Sequence, residues 1–405
     1  MEFKKYTLDN GLTIIGEINP AAKSAAVGFF VKTGSRDETK EISGVSHFLE
    51  HMIFKGTEKL STIQVNEAFD KTGAQFNAFT SEEITVFYAA ILPEYLLEIT
   101  SLWIELMNPA LRDDDFDIEK NVIKEEIAMY KDQPDFVVTE TCRNLYFGKH
   151  PCGNSVLGSV KSIENLSAGQ MRAYFSERYA PNNRMLAVAG NFEWDKICQL
   201  AVQSCSAWQK KETSRDTSDY PGAKKKKFLK KSRLARQHIC LMTKAVPAQD
   251  NSRFAAHLLC SIIGDSTGSR FFWEIVDKAL AEIATMHFGA MDGTGIFQTY
   301  IQCSPENSSK VMDVVNNIFT DVSEKGITED ELVKAKNKTL SALVIKNELP
   351  MGRLIDLGLN WTYLNQYRTI SDDIDSIKAV TKDEILNLVK RLSLQDFTIV
   401  YLGPG

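Results

Sequence analysis

No run of 18 apolar residues occurs anywhere in this 405-residue chain, so no membrane-spanning helix is expected. Cysteine is sparse: the seven (Cys142, Cys152, Cys198, Cys205, Cys240, Cys260 and Cys303) are odd in number and include no CxxC pair. Scattered cysteines in a long chain read as reduced thiols in a reducing compartment, not as a disulfide framework. The opening residues, MEFKKYTLDNGLTII, alternate like a strand. They lack the apolar stretch of a signal peptide and the Arg/Ser-rich character of a transit peptide, so the expectation is a cytoplasmic, soluble protein. An excess of positive charge is also missing. With 47 Lys and Arg against 53 Asp and Glu, the net charge of −6 does not suggest a nucleic-acid binder. What is present is ordinary globular composition, 43% hydrophobic and 25% charged, at a length that implies two or three domains.

The layout repeats itself at an offset of 212 to 216 residues. TVFYAAILPEYLLEIT (85–100) matches FQTYIQCSPENSSKVM (297–312), with Pro93 on Pro305 and Glu94 on Glu306. DFDIEKNVIKEEIAMYKDQP (115–134) matches ELVKAKNKTLSALVIKNELP (331–350), with Phe116 on Leu332 and Pro134 on Pro350. MLAVAGNF (185–192) matches TIVYLGPG (398–405), with Gly190 on Gly403. That period is too long for a solenoid and predicts two domains of one fold. Each begins with alternating strands, at 25–34 and 237–246, then runs through helices, a strand pair, more helices and a closing strand. The expected class is α+β, with helices packed on one face of a mainly antiparallel sheet.

Between the halves lies KKETSRDTSDYPGAKKKKFLKKS (210–232), polar with a Pro-Gly step, which reads as a linker. The expected boundaries are a first domain at 1–212, a linker at 213–232 and a second domain at 233–405. From Lys224 to Arg236, eight of thirteen residues are Lys or Arg. In an acidic chain this fits a solvated linker running into an edge strand, where lysines discourage aggregation, better than a nucleic-acid patch.

Residues 44–57, GVSHFLEHMIFKGT, place three polar side chains in an otherwise apolar run. On a helix, positions i and i+4 lie about 40° apart, so His47 and His51 face the same way, one turn apart. Two imidazoles at that spacing can hold one metal ion. Glu50 lies one turn from His47 and could reach a water at the metal without being a ligand. Phe48, Leu49, Met52, Ile53 and Phe54 imply a largely buried helix, and buried imidazoles and carboxylates are costly unless something pairs them.

A catalytic zinc needs a third protein ligand. Acidic residues are too plentiful for composition to choose one, but the repeat narrows the field. Glu119 and Glu126 stand seven residues apart, about two helical turns, and so face one side. Their partners in the repeat are Ala335 and Ala342, and the region matching His47, around 259–263, has no HxxEH. The acidic pair and the histidine pair are present together in one half and absent together in the other, as one shared site requires.

HFLEH followed about 75 residues later by E-x-x-V-I-x-x-E resembles the pitrilysin-type, or M16, zinc metallopeptidases, the family of insulin-degrading enzyme and the mitochondrial processing peptidase. LDNGLTII (8–15), GSRDE (34–38), GAQFNAFTSEEITVFY (73–88) and YAPNNRMLAVAGN (179–191) are similar to that family, so the likeness covers most of the chain. The length is like that of its short-subunit bacterial and processing-peptidase branch, whose subunits dimerise around a closed chamber. The resemblance implies that family's metallohydrolase fold, one zinc per chain on His47, His51 and Glu126, and Glu50 as general base. It implies Glu119 as a carboxylate orienting the site, and Asn77 and Ala78 on an edge strand that holds an extended peptide by strand addition.

One departure is visible. Family members often carry an arginine and a tyrosine in a second-domain stretch like EIREKRGLAYS, where they bind the substrate backbone near the zinc. Here the matching stretch is EIVDKALAEIAT (274–285), with Val276 near the arginine, Glu282 at the tyrosine and one residue missing. The expectation is therefore a zinc endopeptidase for unfolded peptides, acting as a homodimer or as a heterodimer with a metal-free paralogue that brings the Arg–Tyr pair. The competing readings are a weak or inactive structural subunit of the same fold, and a non-proteolytic zinc hydrolase or metal-stabilised scaffold.

Overall fold

The computed structural model describes residues 1–404. Among them, six strands form a first sheet: β1 (Glu2–Thr7), β2 (Thr13–Ile18), β3 (Ala25–Val31), β4 (Gln75–Thr80), β5 (Thr85–Ile91) and β6 (Arg184–Gly190). Their order is β1-β2-β6-β3-β5-β4. Five form a second sheet: β7 (Lys226–Lys230), β8 (Gln237–Ala245), β9 (Ile283–Ala290), β10 (Gly295–Cys303) and β11 (Thr398–Gly403), in the order β7-β11-β8-β10-β9.

Apart from β1, the two orders are the same. The β2–β6 and β7–β11 pairs are parallel, and the other pairs are antiparallel. The repeat seen in the sequence is thus a repeat of topology. Pro93 and Pro305 both open a short turn after the matching strands β5 and β10. The matched 115–134 and 331–350 segments form α2 (Asp113–Lys131) and α5 (Glu329–Asn347), and Pro134 and Pro350 stand at the first positions of α3 (Pro134–Phe147) and α6 (Pro350–Leu364). Proline suits that position, because its missing N–H has no intrahelical partner there anyway.

Those two prolines start the helices that the halves exchange. The chain divides into two compact units, and neither is contiguous in sequence. One comprises Met1–Ala128, Asn154–Arg215 and Ile345–Arg368; the other comprises Met129–Gly153, Asp216–Val344 and the chain from Thr369 onward. In the first unit, the half's own helices lie on one face of the sheet, and α6 covers the other by packing on β3 and β6. Every residue of β3 is therefore buried. Leu354 and Leu357 of α6 join Ile15, Ala26, Phe30, Val86 and Ala187 in one core. Gly358 allows the helix to approach: a Cβ there would stand 2.2 Å from the Phe30 ring. Arg353 adds a buried fork onto Glu17 of β2, with Nε 2.8 Å from Oε1 and Nη2 2.5 Å from Oε2, while the Tyr367 hydroxyl donates to Oε2 at 2.7 Å.

In the second unit, α3 packs on β8 and β11 and fills the corresponding place with Val138, Cys142, Tyr146 and Phe147. The half's own helices cover the opposite face, including α4 (Arg253–Gly264), where the HxxEH of the first half would map. The lysine-rich stretch enters the second sheet as β7, an edge strand. Its exposed Phe228 stacks on Tyr401 with ring centroids 4.8 Å apart, and Lys226 lies over both rings.

Candidate metal centre

The HxxEH segment forms α1 (Val45–Ile53). Its start is set by Gly44 at φ 94°, a left-handed conformation that favours glycine; a Cβ would also meet the Leu157 carbonyl at 2.7 Å. Two N–H groups at the helix start, those of Gly44 and Ser46, donate to the buried Glu38 carboxylate at 2.7 and 2.8 Å. The rest of the GSRDE motif is buried polar support. Arg36 pairs with Glu83 at 2.5 Å, and Asp37 pairs with Arg178 and Arg215 at 2.6 Å each. Val45, Phe48, Leu49, Met52 and Ile53 bury the apolar side of α1, which orients the polar side rigidly.

His47 and His51 lie along that side, with ring centroids 4.8 Å apart. Across from them runs α2, bearing Glu119 and Glu126. Glu126 Oε2 lies 3.7 Å from His47 Nε2 and 3.5 Å from His51 Nε2. One ligand atom from each of His47, His51 and Glu126 falls within 4.8 Å of the other two. Two donors bound to zinc at about 2.0–2.1 Å in tetrahedral geometry stand roughly 3.4 Å apart, so the Glu126 distances are close to those a bound ion needs. Glu126 Oε2 is moreover a buried oxygen without a hydrogen-bond partner. A cation would supply that partner, and the donor set suits zinc.

Protonation at His47 favours the same reading. Burial, with the charge of His51, pushes His47 down to about 3, so its ring stays neutral and its lone pair available. For His51, burial acts downward, but the hydrogen bond to Glu119 and the charges of Glu126, Glu119 and Glu50 outweigh it and raise the pKa. Burial also raises Glu126, against the opposing charge of His51. Glu119 is lowered: its hydrogen bond to His51 and the Lys55 ammonium beside it overcome the cost of burial.

The remaining residues expected from sequence fall around this point. Glu119 Oε1 lies 2.8 Å from His51 Nδ1, which leaves Nε2 toward Glu126. Glu50 projects from α1, and its Oε2 accepts from the Thr80 hydroxyl at 2.5 Å, leaving Oε1 free of that contact. Burial raises the Glu50 pKa, partly offset by the Thr80 hydrogen bond. Thr80 ends β4, which lies at the edge of the sheet. Asn77 and Ala78 sit on that edge strand, where the exposed Asn77 side chain accepts from the Ala78 N–H at 2.8 Å. In the second half, Ala335 is buried and Ala342 exposed. Val276 lies in a short helical turn, and the exposed Glu282 pairs with Arg236 at 2.9 Å.

Two contributors escaped sequence reasoning. Thr80 meets Glu50 across thirty residues, which no local spacing reveals. Lys55 meets Glu119 at 2.5 Å, and its one signal was its place four residues beyond His51.

Known proteins resemble this chain along its whole length. Residues 13–160 match the family model described as Insulinase (Peptidase family M16), and residues 165–339 match the one described as Peptidase M16 inactive domain. An uncharacterized zinc protease of Bacillus subtilis is 28% identical over 404 residues, covering 99% of this chain and 98% of its own. Another, from Mycobacterium tuberculosis, is 30% identical over 411 residues, covering 99% and 93%. Among solved structures, a protease from Helicobacter pylori superimposes with TM-score 0.91 at 21% identity over 100% of both chains. A peptidase M16 inactive domain from Pseudomonas fluorescens gives 0.92 at 18%, covering 100% of this chain and 99% of the other. At those identities the structural likeness speaks to fold.

Proposed function

This chain belongs to the M16 peptidase family, whose relatives include named zinc proteases, and from that premise we propose that it is a zinc-dependent endopeptidase acting on extended, unfolded peptides. The observation that carries the reading is the convergence of His47, His51 and Glu126 within 4.8 Å, with Glu50 on the same helix. His47, His51 and Glu126 would hold one zinc per chain, which supplies Lewis-acid polarisation of a scissile carbonyl and lowers the pKa of water.

The chain's own residues do the rest. Glu50, with Oε2 engaged by Thr80, keeps Oε1 for the proton of the attacking water and passes that proton to the leaving amine. Glu119 holds His51 through Nδ1, fixing which ring nitrogen faces the ion. The edge strand β4, with Asn77 and Ala78, pairs the peptide backbone as an added strand, which restricts substrates to segments that can become extended.

Residues 1–212 would then be the catalytic half and 233–405 a metal-free half joined through 213–232. The absence of HxxEH around 259–263, and of acidic residues at 335 and 342, supports that division. Val276 and Glu282 cannot donate the hydrogen bonds of an Arg–Tyr pair, and Glu282 is already engaged with Arg236. A dimeric chamber in which a metal-free paralogue brings that pair therefore fits this chain better than a homodimer. Taken alone, the chain would be a weak enzyme. The seven free thiols support a cytoplasmic setting.

The test is cleavage of an unstructured peptide while the purified chain is titrated with a paralogue lacking HxxEH but carrying Arg and Tyr. Activity should be low at first and rise to a plateau at one partner per chain. Full activity without any partner would overturn the heterodimer, and no cleavage in any combination would favour a structural subunit.

A further inference from the structure

Two carboxylates, Glu119 and Glu126, face one side of α2, and their spacing alone does not say which should bind the metal. The structure separates them by their partners. Glu126 Oε2 is buried with no hydrogen-bond partner. Glu119 is engaged at both oxygens: Oε1 lies 2.8 Å from His51 Nδ1, and Oε2 lies 2.5 Å from the Lys55 ammonium. The second contact is an ion pair without hydrogen-bond alignment.

Lys55 extends the line of His47 and His51 by one more step of four residues. It sits in the tightened turn that ends α1, where its N–H donates to the Met52 carbonyl at 3.1 Å. Its own carbonyl accepts from the Thr62 hydroxyl at 2.9 Å, so its backbone is fixed too. The two helices thus meet in two layers. In one, His47 and His51 converge with Glu126 around a point suited to a metal cation. In the other, His51 and Glu119 meet a cation that the chain carries itself. The Glu119 side chain is 4% exposed against 28% for Lys55, so the ion pair lies at the edge of the buried layer with the carboxylate inside.

We propose that Lys55 is a positioning residue that assigns the two carboxylates their roles. It holds Glu119 by the oxygen that would otherwise be free to turn toward the metal, and aims the other at His51. Glu126 is left as the only carboxylate of the pair able to bind the ion. Without the ammonium, a nearly buried carboxylate oxygen would lose its counter-charge. Glu119 would then rotate toward the metal, or its contact with His51 would loosen. Either outcome costs His51 its fixed orientation.

This inference rests on the zinc reading, and its test is read in zinc affinity, not in cleavage. The intact chain and the variants Lys55→Met, Lys55→Arg, Glu119→Gln and Lys55→Met/Glu119→Gln would be titrated with zinc against a chromogenic chelator. Lys55→Met keeps the aliphatic stem and removes the charge; it should weaken zinc binding by about 10- to 100-fold, the range typical of residues that orient ligands. Lys55→Arg should restore affinity to within a few-fold. The double variant should bind no more weakly than Glu119→Gln alone, because Lys55 acts through Glu119.

Unchanged affinity in Lys55→Met, or additive losses in the double variant, would overturn the assignment. An intact chain that binds zinc tightly yet cleaves no peptide, alone or with the partner, would sink the endopeptidase reading, while the affinity losses in the variants would still support the role of Lys55. An intact chain without zinc affinity would overturn both.

Discussion

In the first half, α1 carries His47, Glu50 and His51; at the matching place in the second half, α4 carries Leu259, Cys260, Ile262 and Ile263, all buried in core. Opposite them, Glu119 and Glu126 on α2 correspond to Ala335 and Ala342 on α5. The strand order is otherwise the same. The fold therefore has no need of the polar cluster. An apolar helix serves the sheet as well, and drawing two imidazoles and three carboxylates together, His47 and Glu119 buried and the others half-buried, is unfavourable without a cation to pair them. The first half retains that cost where it has a use. The two halves also differ in how they seat the exchanged helix. In the first unit α6 adds the buried Arg353–Glu17 pair to the apolar contacts of Leu354 and Leu357, and in the second unit α3 contributes Val138, Cys142, Tyr146 and Phe147 to its core.

The largest effect expected from breaking this comparison is on stability. Arg353→Met should destabilise the protein by about 3–5 kcal/mol, because it strands Glu17 as a buried, unpaired charge. Adding Glu17→Leu should recover most of the loss. Urea titration of both variants checks this, and equal stability of wild type and Arg353→Met would show that the pair does not hold α6.

Next in size is the effect of Glu50, the proposed proton acceptor. Glu50→Gln keeps the shape of the side chain and should lower peptide hydrolysis by about a hundredfold or more with zinc content unchanged. Zinc loss in that variant would make Glu50 a ligand.

A smaller effect concerns pH. A general base works only when deprotonated, so cleavage should fail as pH drops through the raised Glu50 pKa. Thr80 lowers that pKa by its hydrogen bond, so Thr80→Val should move the acidic limb to higher pH, and Thr80→Ser should leave it in place. An unmoved limb in Thr80→Val would remove Thr80 from the site.

The smallest effect is none at all. Ala335→Glu should add no zinc to the second half, since α4 brings no histidine pair to meet the new carboxylate. A second zinc per chain, by metal analysis, would show that the second half lacks only that acid.

The parts of this account that rest on short spacing were legible in the sequence. His47 and His51 face one way because they are one turn apart, and Glu119 and Glu126 share a face because they are two turns apart. The topological repeat was legible because Pro93 and Pro305, or Pro134 and Pro350, stand at the same steps of two matching strand and helix orders. The exchange of α3 and α6 was not. Pro134 and Pro350 mark where each helix begins, but which sheet it covers is decided by contacts such as Gly358 on Phe30, hundreds of residues apart. Thr80 and Lys55 were hidden for the same reason. Each is an ordinary polar residue in its own neighbourhood, and its role comes from a carboxylate that the fold brings to it.

On the zinc reading, one half of a duplicated fold holds the ion on His47, His51 and Glu126. The most direct measurement is zinc content per chain by elemental analysis, for wild type, His51→Ala and Glu126→Gln purified identically. The account predicts about one zinc per chain in wild type and a strong loss in both variants, because two remaining ligands rarely hold the ion. Equal zinc in all three proteins would contradict it.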